Sequence, residues 1–250
     1  MPGPRFLLPI HLSHAMRDVL FPPHCMCCDG PLAPGEAVDS PCEECMHGVW
    51  PIDCATCDRC GFLLPAVVSD IPALCGRCLA HPPAYHHASS AFVHGGPIAQ
   101  SILRLKHGQA QNARALLQLA DTHDRLPRPA ENTRIIPIPL HSRRRRKRGY
   151  NQAFLLARAL TQRLGCERPL RALVRTRDTV LQPGLSPSQR RRNVKSAFRA
   201  RRSLTGIHAL LIDDVLTTGA TLDAAATTLL SAGCLSVDAW TLSRASGSVP

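Results

Sequence analysis

Asp213, Asp214, Thr217, Thr218, Gly219, Ala220 and Thr221 bring two adjacent carboxylates and three hydroxyls together around a glycine. Paired carboxylates offer hard oxygen atoms, which suit ribose hydroxyls either directly or through Mg²⁺. A loop of small hydroxyl residues lets backbone N–H groups converge on one point, and the Thr hydroxyls can donate to the same oxygens. That combination suits a phosphate monoester.

The elements around these residues must aim them. Ala209, Leu210, Leu211 and Ile212 form a short continuous apolar run, the pattern of a strand covered on both faces. The two acids are expected where that strand ends. Leu222, Ala225, Ala226, Leu229 and Leu230 then repeat at helical spacing, and Gly233 is placed to stop the helix. The order is strand, loop, helix, with the positive helix end facing the loop. Neither Gly-x-x-x-x-Gly-Lys nor Gly-x-Gly-x-x-Gly occurs here, so the P-loop and the dinucleotide fingerprint fit poorly. The thirteen residues Ala209–Thr221 resemble the phosphoribosyl pyrophosphate (PRPP) motif of type I phosphoribosyltransferases.

A second chemistry lies upstream. Cys25/Cys28, Cys42/Cys45, Cys57/Cys60 and Cys75/Cys78 are four Cys-x-x-Cys pairs. Each such turn puts two thiolates on one side of a tight knuckle, and two knuckles complete a tetrahedral Zn²⁺ site. Sequential pairing gives one zinc on Cys25, Cys28, Cys42 and Cys45 and another on Cys57, Cys60, Cys75 and Cys78; crossed pairing stays open. Four thiolates leave no open coordination position, so both zincs are expected to be structural. Redox chemistry is the rival reading, but no thioredoxin-like βαβ pattern accompanies the pairs. The segment has few apolar residues and needs metal to fold. Its core is expected to be separate from that of the rest of the chain. Cys27, Cys54, Cys166 and Cys234 are left over and read as packing residues.

The remaining chain supplies further candidates. A short helix is expected around Leu12–Leu20, and a strand over Ala88–His94. A helix begins at Ile98, is interrupted at Lys106-His107-Gly108 and resumes through Ala113, Leu116, Leu117 and Ala120. Lys106 and His107 could reach an anion or form a solvated turn. Ile135-Ile-Pro-Ile-Pro-Leu140 reads as a strand, which its prolines place at an edge or near its end. Six basic residues, Arg143 to Arg148, follow His141 and Ser142. Such a run is ordinarily a solvated or nucleic-acid-binding patch, yet here it follows a strand end, where ligands sit in open α/β sheets. A helix Asn151–Leu164 comes next, closed by Gly165. Residues 171–202 are polar and Arg-rich, with a short helix expected over Pro187–Lys195. This segment could close over a bound phosphosugar. Leu235–Leu242 alternates as a last strand.

Taken in order, these features resemble the ComF family, also called the GntX or competence-protein-F family. The resemblance rests on the Cys-x-x-Cys module, Leu105-Lys106-x-Gly108, Ile136-Pro-Ile-Pro-Leu-His141 with Arg148-Gly-Tyr-Asn-Gln152, and the PRPP motif. Gln182, Leu185, Ser186, Arg190, Asn193, Ala197 and Phe198 complete it. It implies an α/β, type I phosphoribosyltransferase-like fold: a mostly parallel sheet with helices on both faces, plus a small N-terminal zinc-ribbon module. The implied division is an N-terminal helix at 1–23, a double zinc ribbon at 24–80 and the phosphoribosyltransferase-like domain at 81–250. Asp213 and Asp214 would then hold ribose hydroxyls and Mg²⁺, and Thr217, Thr218, Gly219, Ala220 and Thr221 the 5′-phosphate. Leu140, His141 and Arg148 would face pyrophosphate. Implied partners are PRPP, single-stranded DNA and competence proteins, through a link to DNA uptake. Two function classes follow. One is pentosyl transfer from PRPP; the other is a non-catalytic PRPP sensor or DNA-handling factor.

Composition bounds both classes. Residues 1–86 hold 4 basic and 9 acidic side chains, whereas 87–250 hold 26 basic and 9 acidic ones. The second part therefore suits phosphate-rich ligands. With 2 Trp, 2 Tyr and 6 Phe, a stacking-based single-strand binder is disfavoured. No apolar run approaches the ~20 residues of a membrane span. Phe6-Leu-Leu-Pro-Ile10 is too short for a signal-peptide core. A cytoplasmic location is expected, and with it reduced, metal-binding cysteines.

Overall fold

The computed structural model describes residues 23–33, 36, 38, 40–65, 73–178 and 196–245. The helix expected at Leu12–Leu20 and the one at Pro187–Lys195 lie outside these residues, as do Gln182, Leu185, Ser186, Arg190 and Asn193.

The elements are α1 (Glu43–His47), α2 (Gly76–Ala80), β1 (Ala88–Val93), α3 (Gly96–Lys106) and α4 (Asn112–Thr122). Then follow β2 (Thr133–Pro137), α5 (Ser142–Arg148), α6 (Gln152–Leu164), β3 (Leu173–Arg175) and β4 (Phe198–Ala200). The chain continues through β5 (His208–Leu216), α7 (Ala220–Ser231) and β6 (Ser236–Arg244). β1, β6, β5 and β2 form a four-stranded sheet in that order, all parallel. β3 and β4 pair separately as an antiparallel ribbon. β2 is an edge strand, as its prolines require.

Strand alternation sends side chains to two faces. Leu210 and Ile212 of β5, with Trp240 and Leu242 of β6, meet α3, α4 and α6 through Ile98, Ile102, Leu116, Leu156 and Leu160. Ala209 and Leu211, with Val237 and Ala239, meet α7 through Leu222, Ala225, Ala226 and Leu229. The central strands are covered on both sides, which is why their apolar runs are continuous. Asn151 caps α6 by accepting the Ala153 N–H (3.1 Å), and Gly165 ends the helix in the left-handed region.

The expected separate core of the cysteine module does not exist. Cys25, Met26 and Cys27 are buried in the same cluster as Phe92, Ile98 and Ile102, while Cys57, Cys60 and Cys78 are buried with Ile136, Leu211 and Leu229. Backbone bonds reinforce this union along β1: Ile52 N–H donates to the Ala91 carbonyl (3.0 Å), Val93 N–H to Trp50 (2.9 Å) and Ala88 N–H to Arg59 (3.0 Å). The module thus covers a sheet edge that would otherwise be open to a second chain.

Two further readings change. The run Arg143–Arg148 is helical, as α5. Of the four leftover cysteines, Cys27 and Cys234 are buried as expected, but Cys54 and Cys166 are exposed.

Candidate functional site

Asp213 and Asp214 lie within β5, not at its end. Pairing with β6 continues through Val215↔Ser243 and Leu216↔Arg244, so the strand outlasts its acids by two residues. The two carboxyl groups remain in hydrogen-bonding contact with each other. Asp214 takes the face of Leu210 and Ile212 and is 5 % exposed. Lys106, the last residue of α3, places its Nζ 2.7 Å from Asp214 Oδ2. Burial works against charge on Asp214, yet this lysine overcomes it and holds the carboxyl below its ordinary range. Among the described residues no ion pair joins Asp213 to a cation; burial first, and the neighbouring Asp214 second, push its carboxyl well above the ordinary range.

Tyr150 fixes the lysine turn. Its hydroxyl donates to the Leu105 carbonyl (2.7 Å) and accepts the Gly108 N–H (3.0 Å). The motifs around Lys106 and Tyr150, some forty residues apart in sequence, thus form one clip that delivers Lys106 to Asp214. His107 stays exposed and is not brought into the cluster.

The loop after β5 turns at Gly219, whose φ of 77° lies in the left-handed region, and α7 starts at Ala220. Thr218 Oγ1 accepts the Ala220 N–H at 3.4 Å. The free N–H groups of the first turn and the positive helix end give this loop its anion-binding capacity. Thr217 is exposed, while Thr218 and Thr221 are half-buried at the same turn. Gly219 also lies against Tyr85 and Arg77. A Cβ there would lie 2.8 Å from the Tyr85 hydroxyl and 3.5 Å from Arg77 Nη2. The sequence reading did not find either residue.

β2 pairs with β5 through Pro137↔Ile212, so the turn Leu140-His141 leaves the sheet at the same end as the acids. His141 Nδ1 is 3.8 Å from Asp178 Oδ2, and Arg144 Nε is 3.3 Å from Asp178 Oδ1. Arg175, buried at the end of β3, is pushed below its ordinary pKa by burial, with Asp213 opposing that shift. Arg148 is turned aside, donating to Gln152 Oε1 at 2.8 Å. Arg143, Arg145, Arg146 and Lys147 are exposed on α5.

The eight paired cysteines form two clusters, Cys25/Cys28/Cys42/Cys45 and Cys57/Cys60/Cys75/Cys78. Within each, the ligand atoms all lie within 4.8 Å of one another. The sulfurs of Cys28 and Cys42 are 3.9 Å apart, and those of Cys60 and Cys75 are 3.7 Å apart. A tetrahedron with Zn–S near 2.3 Å has an edge of about 3.8 Å, so both clusters can hold a metal ion of that size. Burial opposes the thiolate at Cys25, but amide N–H groups of Cys28, Cys42 and Cys27 lower its pKa to about 6. The same arrangement brings Cys57 to about 7. Among the described residues, no helix is long and apolar enough to cross a membrane.

The phosphoribosyl transferase domain family matches residues 151–248, which carry α6, β3 to β6 and the whole Asp-Asp–Thr-Thr-Gly unit. The DNA utilization protein YhgH of Escherichia coli (strain K12) is 36% identical over 226 residues, covering 88% of this chain and 96% of that protein.

The chain belongs to the ComF/YhgH family.

Competence protein F of Haemophilus influenzae, 32% identical over 202 residues, covers 76% of the chain and 84% of its own length. Competence protein ComFC of Bacillus subtilis is 35% identical over 117 residues, 46% of each chain. In this ComF/YhgH protein the matched phosphoribosyltransferase segment begins at Asn151. Lys106, β1 and β2 lie before it, yet they belong to the same sheet and site.

Proposed function

We propose that this ComF/YhgH protein binds PRPP with Mg²⁺ at the end of β5 and serves DNA utilization or uptake. One observation carries the reading: β5 presents two carboxylates just before the loop that leads into the anion-binding start of α7, with Lys106 already on Asp214. Thr217, Thr218, Gly219, Ala220 and Thr221 hold the 5′-phosphate. Asp213 and Asp214 hold the ribose hydroxyls and are the hard-oxygen donors that fit Mg²⁺. When bound, Mg²⁺ neutralises charge on the pyrophosphate. Leu140 and His141, at the same end of the sheet, face that group. Arg148 would have to turn from Gln152 to join them.

In the catalytic form of this function, an acceptor's lone pair forms a bond to C1 of the ribose. The C1–O bond breaks, and its electron pair leaves with pyrophosphate. Positioning and charge stabilisation supply most of the rate. The cysteine clusters hold structural Zn²⁺, one each, in a module spanning 24–80 against the domain at 81–250.

The link to DNA draws on the names of the relatives, DNA utilization protein and competence protein. It is supported by α5, whose exposed Arg143, Arg145, Arg146 and Lys147 can neutralise phosphates. A PRPP-dependent pyrophosphate-release assay across nucleobases and single-stranded DNA tests the function. Release with one acceptor class is the expected outcome. PRPP binding without release from any of them would favour the sensor, and would remove transfer chemistry from the account.

A further inference from the structure

The phosphate loop has a charge problem. Residues 213–224 contain Asp213, Asp214 and Asp223 and no basic residue. Lys106 is committed to Asp214. A phosphate monoester carries about 1.5 to 2 negative charges near neutral pH. Backbone N–H groups and a helix end supply only partial positive charge. A full cation must come from elsewhere in the fold.

The cysteine module faces the loop with one. Arg77 lies between Cys75 and Cys78 of the second cluster, on α2. Its Nη2 is 3.5 Å from where a Cβ on Gly219 would stand. Among the described residues, no ion pair joins Arg77 to a carboxylate. Tyr85 approaches the same point more closely, at 2.8 Å. It is fully buried, and among the described residues its hydroxyl has no hydrogen-bond partner. An orphaned buried hydroxyl is costly, so its persistence beside an anion-binding loop calls for a partner.

The contact is held in place from both sides. Ala84 N–H, next to Tyr85, donates to Asp223 Oδ1 in the first turn of α7 (2.7 Å). This bond also engages the acid that would otherwise oppose an anion at the helix start. Arg244, the last residue of β6, donates to the Cys60 carbonyl at 2.6 Å and ties the second cluster to the end of the sheet.

From these contacts we infer that the cysteine module and the segment that follows it complete the phosphate site, Arg77 supplying the cation and Tyr85 a hydroxyl to the phosphate held at Thr217–Thr221. This rests on the PRPP reading above. The second metal cluster is then a scaffold for a binding residue, since the Cys75–Cys78 knuckle fixes where Arg77 stands.

The test uses the full chain with its metal. Ribose 5-phosphate carries the 5′-phosphate without pyrophosphate and is the probe, titrated beside PRPP with Mg²⁺. Arg77→Ala should weaken ribose 5-phosphate roughly tenfold to a hundredfold, as expected for losing a charged partner. Arg77→Lys should recover part of that loss, and Tyr85→Phe should weaken binding about threefold to tenfold. Arg77 is exposed, so its variants should keep their metal content and thermal transition, and both are measured alongside. If wild type binds both ligands and Arg77→Ala binds them equally, the inference is wrong and the PRPP reading stands. If wild type binds neither, both fall together.

Discussion

Gly219→Val will cost the protein its PRPP affinity and part of its stability. Two independent effects act at this residue. Its φ of 77° is a conformation that a β-branched residue adopts only under strain, worth about 1–3 kcal/mol. The added Cβ would also stand 2.8 Å from the Tyr85 hydroxyl. Tyr85 is fully buried. Relief must come from the loop, and moving the loop breaks the alignment of N–H groups that the phosphate needs. Binding should fall by two decades or more, on the order of 3 kcal/mol. The melting temperature should drop by several degrees, about 2–4 °C for each kcal/mol in a chain of this size. Calorimetry with PRPP and a thermal melt check the two effects. A variant with wild-type affinity would mean the phosphate does not use this loop.

Removing the metal proposed for the second cluster should destabilise the whole molecule. Cys57 is fully buried, and its Sγ accepts the Cys75 N–H at 3.3 Å. It shares a core with Ile136, Leu211 and Leu229. Structural zinc contributes on the order of 10 kcal/mol to small metal-dependent folds. In Cys57→Ser the knuckle at Cys75–Cys78 loses its anchor. The backbone bonds that cover β1 weaken with it, and the sheet edge opens. A strong chelator should act in the same way. The expected melt is one cooperative transition at lower temperature, with zinc content reduced from two per chain. Two separate transitions, the upper one unchanged, would restore the picture of independent units.

That picture came from the sequence, and its failure is instructive. The cysteine segment has too few apolar residues for a core of its own, which was legible. That it would borrow the core of the α/β domain was not, because the union runs through backbone bonds to β1 and through buried cysteines. Neither leaves a pattern in composition. The β5–loop–α7 unit was legible because it is local: apolar run, acids, hydroxyl loop and helical repeat are contiguous. The extent of β5 was misjudged because the polar pair Asp213-Asp214 resembles a strand end. Pairing with Ser243 and Arg244 of β6 extends the strand past them.

The remaining site residues depend on distance in the chain. Lys106 was noticed, but its partner Asp214 is 108 positions away and only the packing of α3 on the sheet joins them. Tyr150 is legible in the sequence only as part of a motif, and its role as the clip on Leu105 and Gly108 appears only in three dimensions. Arg77 and Tyr85 gave no signal, since a lone arginine inside a cysteine knuckle reads as surface. Helix α5 was missed because a run of six basic residues carries no apolar periodicity.

The central claim is that the acids and the loop of β5–α7 form a PRPP site. Titration calorimetry of the metal-loaded wild type and Asp214→Ala with PRPP, each with and without Mg²⁺, tests it most directly. The account predicts binding by wild type that Mg²⁺ strengthens. It predicts affinity about one to two decades weaker in Asp214→Ala, with little response to Mg²⁺, as loss of a charged partner worth roughly 1.5–3 kcal/mol requires. No heat of binding in the wild type, or equal affinity and equal Mg²⁺ response in the two proteins, would contradict it.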